Sequence, residues 1–151
     1  MDEIEALIAR LGLGPLPVEG GWFVESHRSA ASTAIYYLLT PDTFSAIHRL
    51  GSEEVFHFYS GDPVEMLLLY PEGLHRTVTL GSDVLSGQSP QVVVPAGVWQ
   101  GCRLVAGGRY ALMGTTVAPP FSFDVYQAGQ RDDLIRQYPD CEEMIRALTR
   151  V

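Results

Sequence analysis

A chain of 151 residues suits one domain and can bury about two-thirds of the surface its unfolded form exposes. Its net charge of −8 excludes a nucleic-acid polymer as partner, because phosphate backbones are bound through basic surfaces. No run approaches the roughly 20 apolar residues of a membrane span, so no membrane partner is expected.

Ile4, Leu7, Ile8 and Leu11 recur at helical spacing, and Asp2, Glu3 and Glu5 stand where the helix dipole favours negative charge. An N-terminal helix is therefore predicted, stopped by Gly12, Gly14, Pro15 and Pro17. The acidic start is unlike the positive region of a secretory signal, which points to a cytoplasmic protein. Cys102 and Cys141 share no close spacing and are expected as reduced thiols.

From Gly20 to Ala118 the pattern changes to short apolar or alternating runs between turn residues, among them GGWFVES, TAIYYLL, EVFHFYSG, VEMLLLYP and YALMGTTVA. About nine strands with no long helix between them predict an all-β sandwich or barrel. Gly20-Gly21 lacks a phosphate-loop pattern and reads as a turn or bulge. The end is helical again: Asp132 to Tyr138, an interruption at Pro139, then a helix capped by Asp140 with Glu143 as its capping-box partner. With no linker or internal repeat, residues 1–151 read as a single domain.

The segment HRLGSEEVFHFYSG places His48 and Glu54 across a short turn, where two strands of a hairpin can bring both to one side of a sheet. His57 has odd parity from Glu54 and is expected to face the other way. Downstream, VVVPAGVWQ reads as a strand, a Pro-x-Gly turn and a polar Gln100 at the next strand.

These positions resemble the two motifs of the cupin superfamily: His48, Glu54 and Gly61 match the first, Pro95 and Gly97 the second. The departures are Asp42 for the opening Gly, Leu50 and Gln100 for two imidazoles, and Ser89 and Leu104 for the second motif's Gly and Asn. The wording of EGGWFVES, STAIYYLL, HRLGSEEVFHFYSGDP and GQSPQVVVPAGVWQG is similar to the Cupin_5 family (DUF985), from about Leu11 to Tyr138. The resemblance implies a cupin-type double-stranded β-helix, or jelly-roll barrel, with an N-terminal helix and short C-terminal helices outside it. It also implies a homodimer, and it brings no established reaction.

A cupin metal site presents three imidazoles and a carboxylate; here His48, Glu54 and Gln100 occupy such positions. One imidazole, one carboxylate and a neutral amide hold a transition ion weakly. No cofactor is expected, with a weakly bound divalent metal as the alternative. Cupin-fold sugar-nucleotide epimerases use a His base, and by that likeness His48 is the candidate base. Glu54 or Glu53 would orient or charge its ring, and Tyr59, Tyr36 or Tyr37 would return a proton.

Arg49, Glu53, Phe56, Phe58, Trp99 and Gln100 are the candidate ligand contacts, and Arg28, Arg49, Arg76 and Arg103 the candidate phosphate donors. Set beside these are plainer readings: His48 and Glu54 as a hydrogen-bonded buried pair, the aromatics as core, Cys102 as a small buried hydrophobe, and His27 and His75 as solvated. The expectation is a small-molecule-binding protein taking a sugar or nucleotide. It is either a metal-independent isomerase or epimerase, or a non-catalytic metabolite sensor; metal-dependent catalysis ranks lower.

Overall fold

The computed structural model describes residues 2–150; Met1 and Val151, which the single-domain reading includes, lie outside them. Helix α1 (Glu3–Leu11) forms as expected, with the Asp2 carboxylate accepting the Glu5 N–H at 2.8 Å. Gly12 ends it at φ 73°, a left-handed conformation that costs glycine little.

Eleven strands follow among the described residues: β1 (Gly14–Pro15), β2 (Trp22–Arg28), β3 (Thr33–Leu39), β4 (Ser45–Leu50), β5 (Glu53–Gly61), β6 (Val64–Leu69), β7 (His75–Leu80), β8 (Gln91–Val94), β9 (Trp99–Leu104), β10 (Ala111–Ala118) and β11 (Tyr126–Ala128). They pair antiparallel in two sheets, a six-stranded one in the order β1-β2-β3-β10-β5-β8 and a five-stranded one in the order β11-β4-β9-β6-β7. The short strands β1 and β11 carry too little alternation to be visible in the sequence.

The inner faces of the two sheets enclose the main core. Tyr37, Leu39, Phe56 and Met113 from one sheet meet Met66, Leu68, Leu80 and Cys102 from the other. Part of each sheet's outer face is covered as well. Ile4, Leu7, Ile8 and Leu11 of α1 pack around Leu38 and Tyr110. On the other side, Ile47, Leu67 and Leu69 are covered by Leu134 of α2 (Arg131–Gln137) and by Ile145 and Leu148 of α3 (Glu142–Ala147) and its end.

This third layer explains why β6 is apolar on both faces rather than alternating. The capping box expected from Asp140 and Glu143 does not form. Asp140 lies in a 3₁₀ turn, Cys141 takes the cap position of α3, and no side chain caps it. Cys102 and Cys141 are free and buried in different cores, on opposite faces of the same sheet.

Candidate functional site

Between the sheets lies a cavity of about 410 Å³ whose lining includes His48, Glu54 and a residue not foreseen, Glu19. The path to it begins in β4. The register of β4 against β9 shifts between Ser45 and His48, and such a bulge re-aims side chains and releases backbone groups from the ladder. The released groups all serve the site. The Ala46 N–H donates to the Glu19 carbonyl at 2.8 Å, and the Ile47 N–H donates to the Leu148 carbonyl at 2.9 Å. The Ala46 carbonyl accepts from His48 Nδ1 at 2.7 Å.

A carbonyl only accepts, so that last contact places a proton on Nδ1. In the neutral ring Nε2 is then the unprotonated nitrogen, and it points to Glu19 Oε1 at 3.5 Å. The ring is 2% exposed. Its face stacks on Tyr126 of β11, with centroids 5.0 Å apart.

Glu19 reaches this position from an unusual turn. The Glu19 N–H bonds the Pro17 carbonyl at 2.7 Å around Val18, whose φ of 67° is strained for a β-branched residue. Gly20 follows at φ 100°, and a Cβ there would lie 2.4 Å from the Phe44 carbonyl oxygen. The loop is held by the Tyr37 hydroxyl, which donates to the Gly20 carbonyl, and by Arg150, which donates to the Glu19 carbonyl. Ser45 Oγ donates to Glu19 Oε2 at 2.9 Å, leaving Oε1 for the cavity.

Glu54 enters from the opposite sheet. Gln100 of β9 donates its amide to Glu54 Oε1 at 2.8 Å, a buried hydrogen bond that joins the two sheets. Burial first, then the negative charge of Glu19, hold the Glu54 carboxyl above its ordinary range, against the pull of His48, Gln100 and Thr115.

The other expected residues fall elsewhere. Tyr59 is 53% exposed on the outer face of its sheet, packed edge-on against Tyr36 and over Gly114, so it does not join His48. Tyr36 shares that outer face. Tyr37 does line the cavity, but its hydroxyl is engaged by Gly20, and burial raises its pKa. Glu53 is exposed. Phe56 is buried in the inter-sheet core, and Phe58 packs against that core's edge.

Arg49 and Trp99 lie behind the second sheet. The guanidinium sits 4.4 Å over the indole and bonds Gln127, and Trp99 packs into the core under α2 and α3. Of the four arginines expected to bind phosphate, Arg28 reaches the cavity, and it is tied to Glu25 and to the Phe121 carbonyl. Arg103 pairs with Glu65, and Arg76 is an exposed residue of β7. His57 faces outward beside Thr116 and Gln91 as its parity requires. The Cys102 thiol is pushed up by burial, and that disfavours a thiolate nucleophile.

The donor set does not fit a cupin metal centre. Leu50 is buried in the cavity wall where an imidazole would stand, and Gln100 turns an amide N–H to Glu54. No group of three or more His, Cys, Asp or Glu able to hold a metal occurs among the described residues.

Two facing antiparallel sheets around a ligand-sized cavity define a cupin-type barrel. The chain belongs to the Cupin_5 family (Cupin superfamily, DUF985), whose model matches residues 5–128. The crystal structure of protein SO0799 from Shewanella oneidensis is similar with a TM-score of 0.91 and 31% identity, over 99% of each chain. A hypothetical protein from Leishmania major has the same TM-score, at 30% identity over 99% of this chain and 100% of its own.

The uncharacterized protein YML079W of Saccharomyces cerevisiae is 28% identical over 131 residues; that match takes in 70% of this chain and 65% of the yeast protein. Oxalate decarboxylase from Bacillus subtilis superimposes with a TM-score of 0.61 over 90% of this chain and 37% of its own, at 13% identity, which is a likeness of fold. No helix among the described residues is long and apolar enough to cross a membrane.

Proposed function

We propose that the cavity binds a compact small molecule and that His48 Nε2 acts on it as a metal-independent general base. One observation carries this reading. With Nδ1 held on the Ala46 carbonyl, the neutral ring presents its basic nitrogen to the cavity, next to a carboxylate able to neutralise the imidazolium that forms. Proton transfer of this kind is the elementary step of isomerases and epimerases. Glu19 rather than a tyrosine is the partner that the geometry favours.

The arginine positions weigh against a nucleotide-sugar, because Arg28 is tied at the cavity wall and Arg49, Arg76 and Arg103 lie away from it. The acidic floor weighs equally against a dicarboxylate such as oxalate. Walls of Phe23, Ile35, Leu50 and Val117 suit a partly apolar ligand. A non-catalytic sensor would use the same cavity, and incorporation of solvent deuterium into a bound ligand separates the two. A homodimer is the setting we propose, on the family resemblance.

The test is a thermal-shift screen of compact amines, alcohols and acids against wild type and His48→Gln, since a ligand of the native state raises Tm. We expect a hit whose shift is lost or strongly reduced in the variant. A hit shifted equally in both would remove His48 from the site.

A further inference from the structure

The cavity floor is built from hydrogen-bond acceptors. Glu19 presents a carboxylate oxygen, Glu54 a carboxyl whose Oε1 already accepts from Gln100, and the neutral His48 ring, its proton held on the Ala46 carbonyl, presents the Nε2 lone pair. His48 is 2% exposed, yet Nε2 makes no hydrogen bond among the described residues; Glu19 Oε1 at 3.5 Å is itself an acceptor. Two acceptors facing each other repel unless a proton lies between them. The guanidinium lining the cavity, that of Arg28, is neutralised by Glu25 and further held by the Phe121 carbonyl.

We propose that the ligand of this cavity is a compact organic ammonium, its –NH₃⁺ group donating to His48 Nε2 and the Glu19 carboxylate while its apolar body lies against Phe23, Ile35, Val117 and Phe121. The inference rests on the cavity being the ligand site, and it names the chemistry of what that site receives. An ammonium carries three donors and no acceptor, the complement of a floor with the reverse character. Its charge is attracted by the Glu19 carboxylate and favours ionisation of Glu54 beside it, in a setting where low dielectric strengthens the interaction. Carboxylates and phosphates bring only acceptors and negative charge to the same atoms. The aromatic rings of Phe23 and Phe121 add faces that attract a cation near the floor or a hydrocarbon above it.

Three probes of nearly equal size separate the possibilities: benzylamine, protonated at neutral pH, benzyl alcohol and benzoate. Binding is followed by titration calorimetry and by the NMR signals of the His48 ring, assigned through their loss in His48→Asn. The expected result is that benzylammonium binds about tenfold or more tightly than benzyl alcohol, as a charge-assisted donor should, and that benzoate does not bind.

Glu19→Gln keeps an oxygen for Ser45, removes the charge beside His48, and should abolish that preference for ammonium over alcohol. Glu54→Gln, expected to weaken the preference in part, serves where Glu19→Gln fails to fold. Equal affinity for ammonium and alcohol, or a preference that survives both variants, overturns the ammonium assignment while the cavity reading stands. If none of the three probes perturbs the His48 signals, both fall.

Discussion

The rings of His48 and Tyr126 lie stacked, 5.0 Å between centroids and 16° between planes, and the Tyr126 hydroxyl is buried with no hydrogen-bond partner among the described residues. The two residues sit on neighbouring strands, β4 and β11, so the stack closes one side of the imidazole against the edge of its sheet. Phe121 and Phe123 meet the outer part of Tyr126 edge-on, which fixes the phenol as much as the phenol fixes the histidine.

Removing the hydroxyl should therefore cost nothing. Tyr126→Phe is expected to be neutral or to stabilise the protein by about 1 kcal/mol, because a buried unpaired hydroxyl is a desolvation penalty without a return. Tyr126→Ala, which removes the stack, should destabilise by about 2–3 kcal/mol. Urea denaturation of both variants checks the pair; a large loss in Tyr126→Phe would mean that the hydroxyl has a partner.

Stability should carry a pH signature from Glu54. A carboxyl raised on folding binds its proton more tightly in the native state than in the unfolded one. Its contribution is then present at low pH and is lost as pH rises from the ordinary glutamate range through the raised folded value. Glu54→Gln keeps an oxygen for the Gln100 amide and removes the titration. Relative to wild type, the variant should gain stability progressively over that interval. Unfolding midpoints measured at a series of pH values give the difference, and a difference independent of pH would contradict the assignment.

The Glu19 turn stores strain in Val18 and freedom in Gly20. Val18→Gly relaxes a left-handed β-branched residue and should stabilise by about 1 kcal/mol. Gly20→Ala should cost about 2–3 kcal/mol, because its Cβ meets the Phe44 carbonyl oxygen at 2.4 Å in an already unfavourable conformation. Opposite signs at positions two residues apart are the expected outcome of thermal melts. Equal signs would show that the turn does not adopt this shape.

The weak metal donor set can be reversed by design. Leu50→His with Gln100→His adds two imidazoles beside His48 and Glu54, and should give stoichiometric uptake of zinc or nickel. Wild type, with one imidazole and two carboxylates, one bonded to the Gln100 amide and the other to the Ser45 hydroxyl, should retain a small fraction of that amount. Loss of the Gln100 bond should cost the metal-free variant about 1–2 kcal/mol. Elemental analysis after dialysis reports the first result and denaturation the second.

Much of this architecture could be read from residue order because His48, Glu54, Pro95 and Gly97 stand at fixed distances along neighbouring strands. The sequence also placed His57 outward by alternation, and the same alternation applies to Tyr59: both have odd parity from Glu54 on β5. Arg49 and Trp99 misled for a different reason. Their neighbours are buried on both sides of the sheet, and local pattern cannot tell an inner face from an outer face covered by helices. Glu19 was hidden because it sits in a turn far from His48 along the chain. The trace it left was an acidic residue beside the double glycine Gly20-Gly21.

One consequence concerns handling the protein at the bench. The last turn of the chain is fastened to both site-bearing segments: the Leu148 carbonyl takes the Ile47 N–H, and Arg150 bonds the Glu19 carbonyl while lying 4.3 Å over the Phe44 ring. Trimming the chain after Ala147 would cut both ties at once and loosen His48 and Glu19 together. Because α1 packs behind the other sheet, added sequence is best carried at the amino end, where a lost binding signal would not be mistaken for an empty repertoire of ligands.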